Sequence, residues 1–402
     1  MASNQRRILT THVGSLVRPP SLIAFLGEIE AGRPYDEFAH SACLKESVAD
    51  VVRQQAEAGV DIVSDGEFGK TGNWARYIQN RISGFRERPA TPEETKDPLT
   101  TMSMGRDFAA FPEFYAEYFP TQGFRVRPST TTNVCDGPIR YIGREEVQRD
   151  IANLKAAVTT VKVEDAFLPV VAPASAFPFY KNEYYKDDES LLFALAEALR
   201  EEYKAILDAG LRVQIDDAFL PWTYERIVPP MTLAQYQAWA SLRIDALNHA
   251  LEGLPQDRIR YHICWGSWNA PHVFDVPLRD IIELLLKLRV GGYQFEAANV
   301  RHEHEWKVWR DVKVPDDRVL IPGVISHATN VVEHPELVAD RLIRFANIVG
   351  RERVMAGSDC GFAQGPFTRR VHPTIQWAKL KAQAEGAKIA TARLWGQTSA
   401  TS

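Results

Sequence analysis

His262 and Cys264 stand two residues apart in RIRYHICWG, a run of β-branched and aromatic residues that reads as a strand. At that spacing their side chains leave the same face. Glu296 closes a second strand-like run, YQFEAAN, and Cys360 closes a third, RVMAGSDC. One imidazole, two thiols and a carboxylate form a borderline-soft donor set that suits zinc better than magnesium or calcium. Two thiolates and a carboxylate make the site electron-rich, so the ion would be a mild Lewis acid. It would still hold an incoming thiol as thiolate at neutral pH, where a free thiol of pKa about 8.5 is mostly protonated. The chemistry that follows from such a set is S-alkylation. A structural zinc normally draws a close pair such as C-x-x-C from one loop, so ligands from separate strand ends favour catalysis.

These residues meet only if the strands that carry them share one end. Eight strand-like runs lie near 8–13, 60–65, 168–173, 211–217, 259–264, 292–297, 319–326 and 353–358, and helical segments separate most of them. In one, Leu191, Leu195, Leu199 and Tyr203 recur every fourth position and Gly210 ends the helix. Another is read over LRDIIELLLKLR. Strict alternation calls for parallel strands with crossover helices, and eight units predict a TIM (β/α)8 barrel filling one domain, 1–402. A doubly wound sheet is the rival, but no G-x-G-x-x-G turn follows the first strand. In a TIM barrel the active site lies at the C-terminal strand ends. That is where His262, Cys264, Glu296 and Cys360 fall, with His327 in GVISHATN ending the seventh strand. Residues 80–160 break the rhythm with Pro, Thr and aromatic residues, a hairpin and the helix REEVQRDIANLKAAV. They read as an insertion between the second and third strands, a lid or an oligomer contact. From about 386 a terminal helix frays into a polar tail.

The chain has 402 residues, 45% hydrophobic and 25% charged, enough to bury a large core. A net charge of −5 gives no general attraction to nucleic acid or anionic lipid. The first residues lack the apolar core of a signal peptide, and no apolar run reaches the roughly 18 residues of a membrane span. A cytoplasmic protein with free thiols is expected. Cys43, beside Leu44, Val48, Val51 and Val52 at helical spacing, and Cys135 in TTNVCDGP read as structural.

The motifs HVGS (12–15), SDGEF (64–68), QIDDA (214–218), HICWGSWN (262–269), FEAAN (295–299), PGVISHATN (322–330) and AGSDCGF (356–362) follow one another at successive strand ends. In that order the sequence resembles the catalytic barrel of cobalamin-independent methionine synthase and its single-barrel relatives. The resemblance implies a TIM barrel with zinc on His262, Cys264, Glu296 and Cys360. It places the amino group of homocysteine on Glu67 and Asp216 and its carboxylate on the backbone at Val13 and Ser15. It makes His327 the residue that manages protons during methyl transfer. Independently of the family, an acidic pair beside an NH-rich turn is sensible amino-acid recognition.

Two departures leave the alkyl donor open among methylfolate, methylcobalamin, an S-methyl compound and an epoxide. The full-length synthase has a second barrel that 402 residues cannot accommodate, and the 80–160 insertion differs in character. The chain is also similar to epoxyalkane:coenzyme M transferase, whose sulfonate needs a cation, for which Arg18 in LVRPP is the candidate. Two carboxylates would repel a sulfonate, so homocysteine methylation ranks first and other thiol alkylation second. A zinc-stabilised binding protein and a metal-free barrel using Asp216 and Glu67 as acid and base are the rival classes. His12 is read as a substrate contact or a buried, hydrogen-bonded histidine. Trp265 and Trp268 are walls of the site or core. His302 and His304 in RHEHEW are a solvated pair or a second metal site. A homo-oligomer is left open.

Overall fold

A computed structural model of the chain describes residues 6–101, 105–121 and 131–396. Ten strands form among them: β1 (Ile62–Ser64), β2 (Phe85–Pro89), β3 (Thr131–Cys135), β4 (Asp165–Val171), β5 (Tyr180–Asn182), β6 (Arg212–Asp217), β7 (Ile259–Ile263), β8 (Gly292–Phe295), β9 (Val319–Ile325) and β10 (Gly357–Ser358). Seven of them pair in parallel in the order β1-β4-β6-β7-β8-β9-β10. The eighth stave is the extended segment predicted near 8–13. Thr11 N–H donates to Ala356 O at 2.8 Å and Ala356 N–H to Leu9 O at 2.8 Å on one side, while Ile62 N–H donates to Thr10 O at 3.0 Å on the other. The sheet therefore curls back on itself as the TIM-like barrel the alternation requires.

Burial on both faces explains the near-continuous apolar runs, and β9 is buried at every position. Leu9, Ile62, Phe167, Val319, Ile321 and Met355 form a separate apolar cluster contributed by five of the staves. The Arg260 guanidinium lies over Phe167 at 3.8 Å and donates to Thr11 Oγ1 and His12 O, so its charge is held by the first stave. Outside, the helix Asp188–Asp208 buries Leu191, Leu195, Leu199 and Tyr203, is capped by Asp187 and ends before Gly210 at φ +83°. The helix Leu233–Ala250 carries a full Thr232/Gln235 capping box.

The excursion after β1 builds a second sheet, with β2 antiparallel to β3 and β3 parallel to β5. Phe85 stacks on Phe177 at 3.7 Å and joins that sheet to the start of the helical layer. The helix Arg144–Val158 does not stand with it. It buries Val147, Ile151 and Leu154 against the helices Glu37–Glu57 and Asp188–Asp208 and so belongs to the outer ring. The segment LRDIIELLLKLR also differs from its reading as one helix. It forms a 3₁₀ turn, Leu278–Asp280, and a short helix, Ile282–Leu285. The amides of Asp280, Ile281, Leu284, Lys287 and Leu288 bond three residues back and only those of Leu285 and Leu286 bond four back, so no even α-helix is sustained even though the buried Leu278, Ile281, Leu285 and Leu288 keep an α-helical spacing. One helix, Pro373–Trp395, closes the chain, and the polar tail from 397 lies outside the described residues. No helix among the described residues is long and apolar enough to cross a membrane.

Candidate metal centre and substrate cavity

β7 delivers His262 and, one residue past its end, Cys264; the turn after β10 delivers Cys360. All three are buried, and one ligand atom from each lies within 4.8 Å of the others. Ligands about 2.0–2.3 Å from one zinc ion are separated by no more than about 4.6 Å, so the spacing fits such an ion with minor adjustment. The two Sγ atoms are 3.4 Å apart and unbridged. Cys264 is pushed well above the ordinary thiol pKa, first by its hydrogen bond with Cys360, then by burial and by the charges of Cys360 and Glu296. Two thiolates at this separation require a cation, which is what a sulfur-rich donor set supplies a place for.

His262 is oriented from behind. Its Nδ1 faces Asp216 Oδ1 at 3.0 Å and its Nε2 faces Asp359 O at 3.3 Å; with an ion bound, a proton kept on Nδ1 by Asp216 would leave the Nε2 lone pair to the metal. Burial works against protonation of this ring, but the hydrogen bond and charge of Asp216 outweigh it and raise its pKa. Glu296 stands beside the trio rather than within it. Its Oε1 accepts from Trp265 N–H at 2.9 Å and its Oε2 from Asn299 Nδ2 at 2.5 Å. The same Asn299 amide reaches Asp359 Oδ2 at 3.3 Å, and Asp359 Oδ1 accepts from the amides of Ala297 and Ala298 at 2.8 Å. Asn299 and Asp359 were not singled out from the sequence. Their signal is adjacency, since each sits within three residues of a candidate ligand in FEAAN or SDC.

The trio opens into a cavity of about 630 Å³ that Val13, Ser15, Glu67 and Asp216 also line. Glu67 is 1% exposed and sits at φ +63°, a left-handed conformation that a non-glycine residue adopts only when held there. The holding groups are Arg18 Nη2, at 2.5 Å from Glu67 O, the Lys70 amide at 3.2 Å from the same oxygen, and Asp65 Oδ1, which accepts from Glu67 N–H at 2.9 Å. Glu67 Oε1 pairs with Lys70 Nζ at 3.1 Å, while Oε2 is buried with no partner among the described residues. Burial raises the pKa of this carboxyl, opposed by Lys70 and reinforced by Asp216. Arg18 thus turns Nη2 to the backbone of Glu67, leaves Nε and Nη1 without a partner among the described residues, and is not among the residues lining the cavity. Val13 N–H already donates to Ser358 Oγ at 3.2 Å, and Val13 O accepts from Gln214 Nε2. Gly14 between the two docking positions is at φ +133°, and a Cβ there would press on Pro169 Cγ at 2.7 Å.

His327 is buried, and neither ring nitrogen has a hydrogen-bond partner among the described residues. Burial pushes its pKa down to about 3, with Arg370 adding to the effect, so the ring is neutral. His12 takes the structural reading. Gly14 N–H donates to its Nδ1 at 3.1 Å, its Nε2–H goes to Gln55 Oε1 at 2.7 Å, and burial lowers its pKa to about 4. Trp268 lines the cavity, whereas Trp265 is buried behind it with its indole N–H on Val276 O at 2.7 Å. Trp74, Phe179, Phe219 and Trp222 form a contiguous aromatic wall of the same cavity, with Thr100, Thr132 and Asn133 of the excursion among the other lining residues.

The family model for the catalytic domain of cobalamin-independent synthases matches residues 176–382. A methionine synthase of Sulfolobus acidocaldarius is 25% identical over 373 residues, covering 92% of this chain and 90% of the relative. A 2-hydroxypropyl-CoM lyase of Xanthobacter autotrophicus is 24% identical over 379 residues, covering 87% and 86%. Among solved structures, a B12-independent methionine synthase from Shewanella sp. W3-18-1 superposes with a TM-score of 0.69 at 19% identity, over 97% of this chain and 99% of that one.

Proposed function

Because the chain belongs to the family of cobalamin-independent synthase catalytic domains, we propose that it transfers a methyl group to the sulfur of homocysteine at a zinc ion held by His262, Cys264 and Cys360, with Glu296 as the fourth ligand. The observation that carries this reading is the bare Oε2 of Glu67, a buried carboxylate oxygen on a residue that lines the same cavity as His262, Cys264 and Cys360. A carboxylate so placed lacks the donor that an amino group would supply. Zinc at this donor set would keep the incoming thiol ionised at neutral pH.

The chain's own residues account for the remaining steps. Glu67 and Asp216 take the ammonium, and the turn Val13–Ser15 takes the carboxylate, which aligns the sulfur with the donor's methyl carbon. A carbon–sulfur bond forms as the bond from methyl to donor breaks, and the electron pair leaves with the donor. The family resemblance gives His327 the handling of protons; a ring held neutral down to about pH 3 offers a lone pair without retaining a proton at neutral pH, so the proton lost by the thiol passes on to solvent. The aromatic wall and the outer cavity hold the donor; 630 Å³ is the size of site that takes a drug-sized ligand and leaves room beside an amino acid. The part of the 80–160 insertion that precedes the helix Arg144–Val158 acts as a lid over this cavity within a single domain, since Thr100, Thr132 and Asn133 line it. All four cysteines are free, as suits the cytoplasm.

The test is to measure zinc in protein purified without chelators, then to offer homocysteine and coenzyme M separately with methylfolate, methylcobalamin, an S-methyl compound and an epoxide. Methionine by mass spectrometry is the expected product. An adduct of coenzyme M with the epoxide, and none with homocysteine, transfers the assignment to the lyase-like reaction. Zinc well below one ion per chain, with activity retained, overturns the metal reading.

A further inference from the structure

His302 of the RHEHEW motif proves neither solvated nor half of a second metal site. His304 is exposed, and His302 is buried in a group of four ionisable side chains that the proposed chemistry leaves unused. Asp275 Oδ2 accepts from His272 Nδ1 at 2.9 Å and from His302 Nε2 at 3.0 Å. His302 Nδ1 donates to Glu305 Oε2 at 2.8 Å, and His272 Nε2 donates to Trp268 O at 3.0 Å. Every nitrogen of both rings faces a carboxylate or carbonyl oxygen, an arrangement that favours rings carrying two N–H groups and so a positive charge. Burial opposes that charge, yet Asp275 and its neighbours raise the two rings to about 9 and about 10. Two cations and two carboxylates make the quartet neutral overall.

Its members come from the loop after β7 and the loop after β8, so the quartet ties the two loops that flank the metal ligands. Glu305 Oε1 also accepts from Leu278 N–H at 2.7 Å, which anchors the far end of the first loop. The near end is held by a ring contact: His302 stacks on Trp265 with centroids 4.3 Å apart and planes 25° from parallel. Trp265 N–H points at Glu296 Oε1, and Gly266 N–H donates to Cys264 Sγ at 3.3 Å. Between the two ends His272 sits at φ +53°, which a histidine keeps only under constraint. Strain of this kind marks a loop whose path is imposed by its contacts.

We propose that His272, Asp275, His302 and Glu305 are positioning residues that hold the Trp265 and Gly266 amides on Glu296 and Cys264 and thereby set the donor set for its ion. The consequence for the ion rests on the zinc reading above; the positioning of the two amides does not.

The experiment is hydrogen exchange of the metal-free full chain, comparing wild type with His302→Phe, Asp275→Asn and, as a control, His304→Phe. His302→Phe keeps a ring against Trp265 and removes both N–H donors, so it separates charge from stacking. Amides of 265–278 are expected to exchange at least about 10-fold faster in His302→Phe and Asp275→Asn, with the rest of the barrel and the control unchanged. His302→Gln, which retains one donor, should fall between and stands in if either variant fails to fold. Zinc affinity by chelator competition should fall about 10- to 100-fold in the same variants, with a shifted thiolate-to-metal band in the cobalt-substituted protein. Unchanged exchange at 265–278, or acceleration shared equally by the whole barrel, overturns the proposal. Faster exchange with unaltered metal affinity overturns its second half. A wild type that binds no zinc sinks the metal reading alone, because the exchange result is obtained without metal.

Discussion

Glu67→Gln separates recognition from stability in a way that few substitutions at a binding site do. The exchange preserves shape and removes one charge, leaving the ammonium of the thiol substrate with an amide in place of a carboxylate. A hydrogen bond between charged groups contributes about 1.5–3 kcal/mol, so the dissociation constant for homocysteine should rise about 10- to 150-fold. Stability should respond differently. The folded pKa of Glu67 is raised, chiefly by burial, above that of an unfolded carboxyl. Its protonated form therefore supports the fold below the unfolded pKa, and that support is lost as pH rises through the folded pKa. Above the folded pKa the ionised group burdens the empty protein, and glutamine relieves that burden. Lys70, 3.1 Å away, loses its partner and acts in the opposite sense. The two offset, and the melting midpoint should stay within about 4 °C of wild type. Calorimetric titration of the zinc-loaded protein with homocysteine, and with 4-mercaptobutyrate, which lacks only the amino group, provides the assay. Wild type should prefer homocysteine and the variant should lose that preference. Equal weakening towards both thiols would refute the assignment of Glu67 to the amino group.

Asp216→Asn removes the carboxylate behind His262 Nδ1, and chelator competition should show zinc affinity reduced about 10- to 100-fold. A Cβ at Gly323 would run into Asp359, so Gly323→Ala should destabilise the chain by about 1–3 kcal/mol in urea and lower its zinc content. Gly210→Ala, at φ +83° with nothing within 4 Å, should lose about 1–2 kcal/mol and keep its zinc. Asp65 is raised to about 7, first by burial and then by Asp150, so the stability its neutral form confers is present below about pH 4 and lost as pH rises towards 7. Asp65→Asn should remove that part of the decline, on the order of 4 kcal/mol, and be the more stable protein at pH 8; urea midpoints from pH 4 to 8 that run parallel for the two chains would contradict this.

Why the barrel was legible while much of the site was not follows from the range over which each signal acts. Buried parallel strands write continuous apolar runs into the sequence, and helix ends write caps such as Asp187 and Gly210, all within a few residues. The rule that function lies at the C-terminal strand ends then brought His262, Cys264 and Cys360 to one place, where their atoms do meet. The same local logic failed over LRDIIELLLKLR, because its apolar residues keep an α-helical spacing while most of its amides bond three residues back. It was silent wherever a residue's role depends on a partner far along the chain. Arg18 looks like a free cation in LVRPP, yet it faces the carbonyl of Glu67, 49 positions away. His12 ends a strand like a ligand, yet Gln55 holds one of its nitrogens. His302 sits in a run of charge that reads as solvated, and it becomes buried because Asp275, 27 positions earlier, supplies the opposite sign. Residue type at a strand end therefore proposes a chemistry. Whether a given atom is bare, as at Glu67 Oε2, or already satisfied, as at both nitrogens of His12, decides which chemistry is open to it. That distinction exists only once the loops are folded over the mouth.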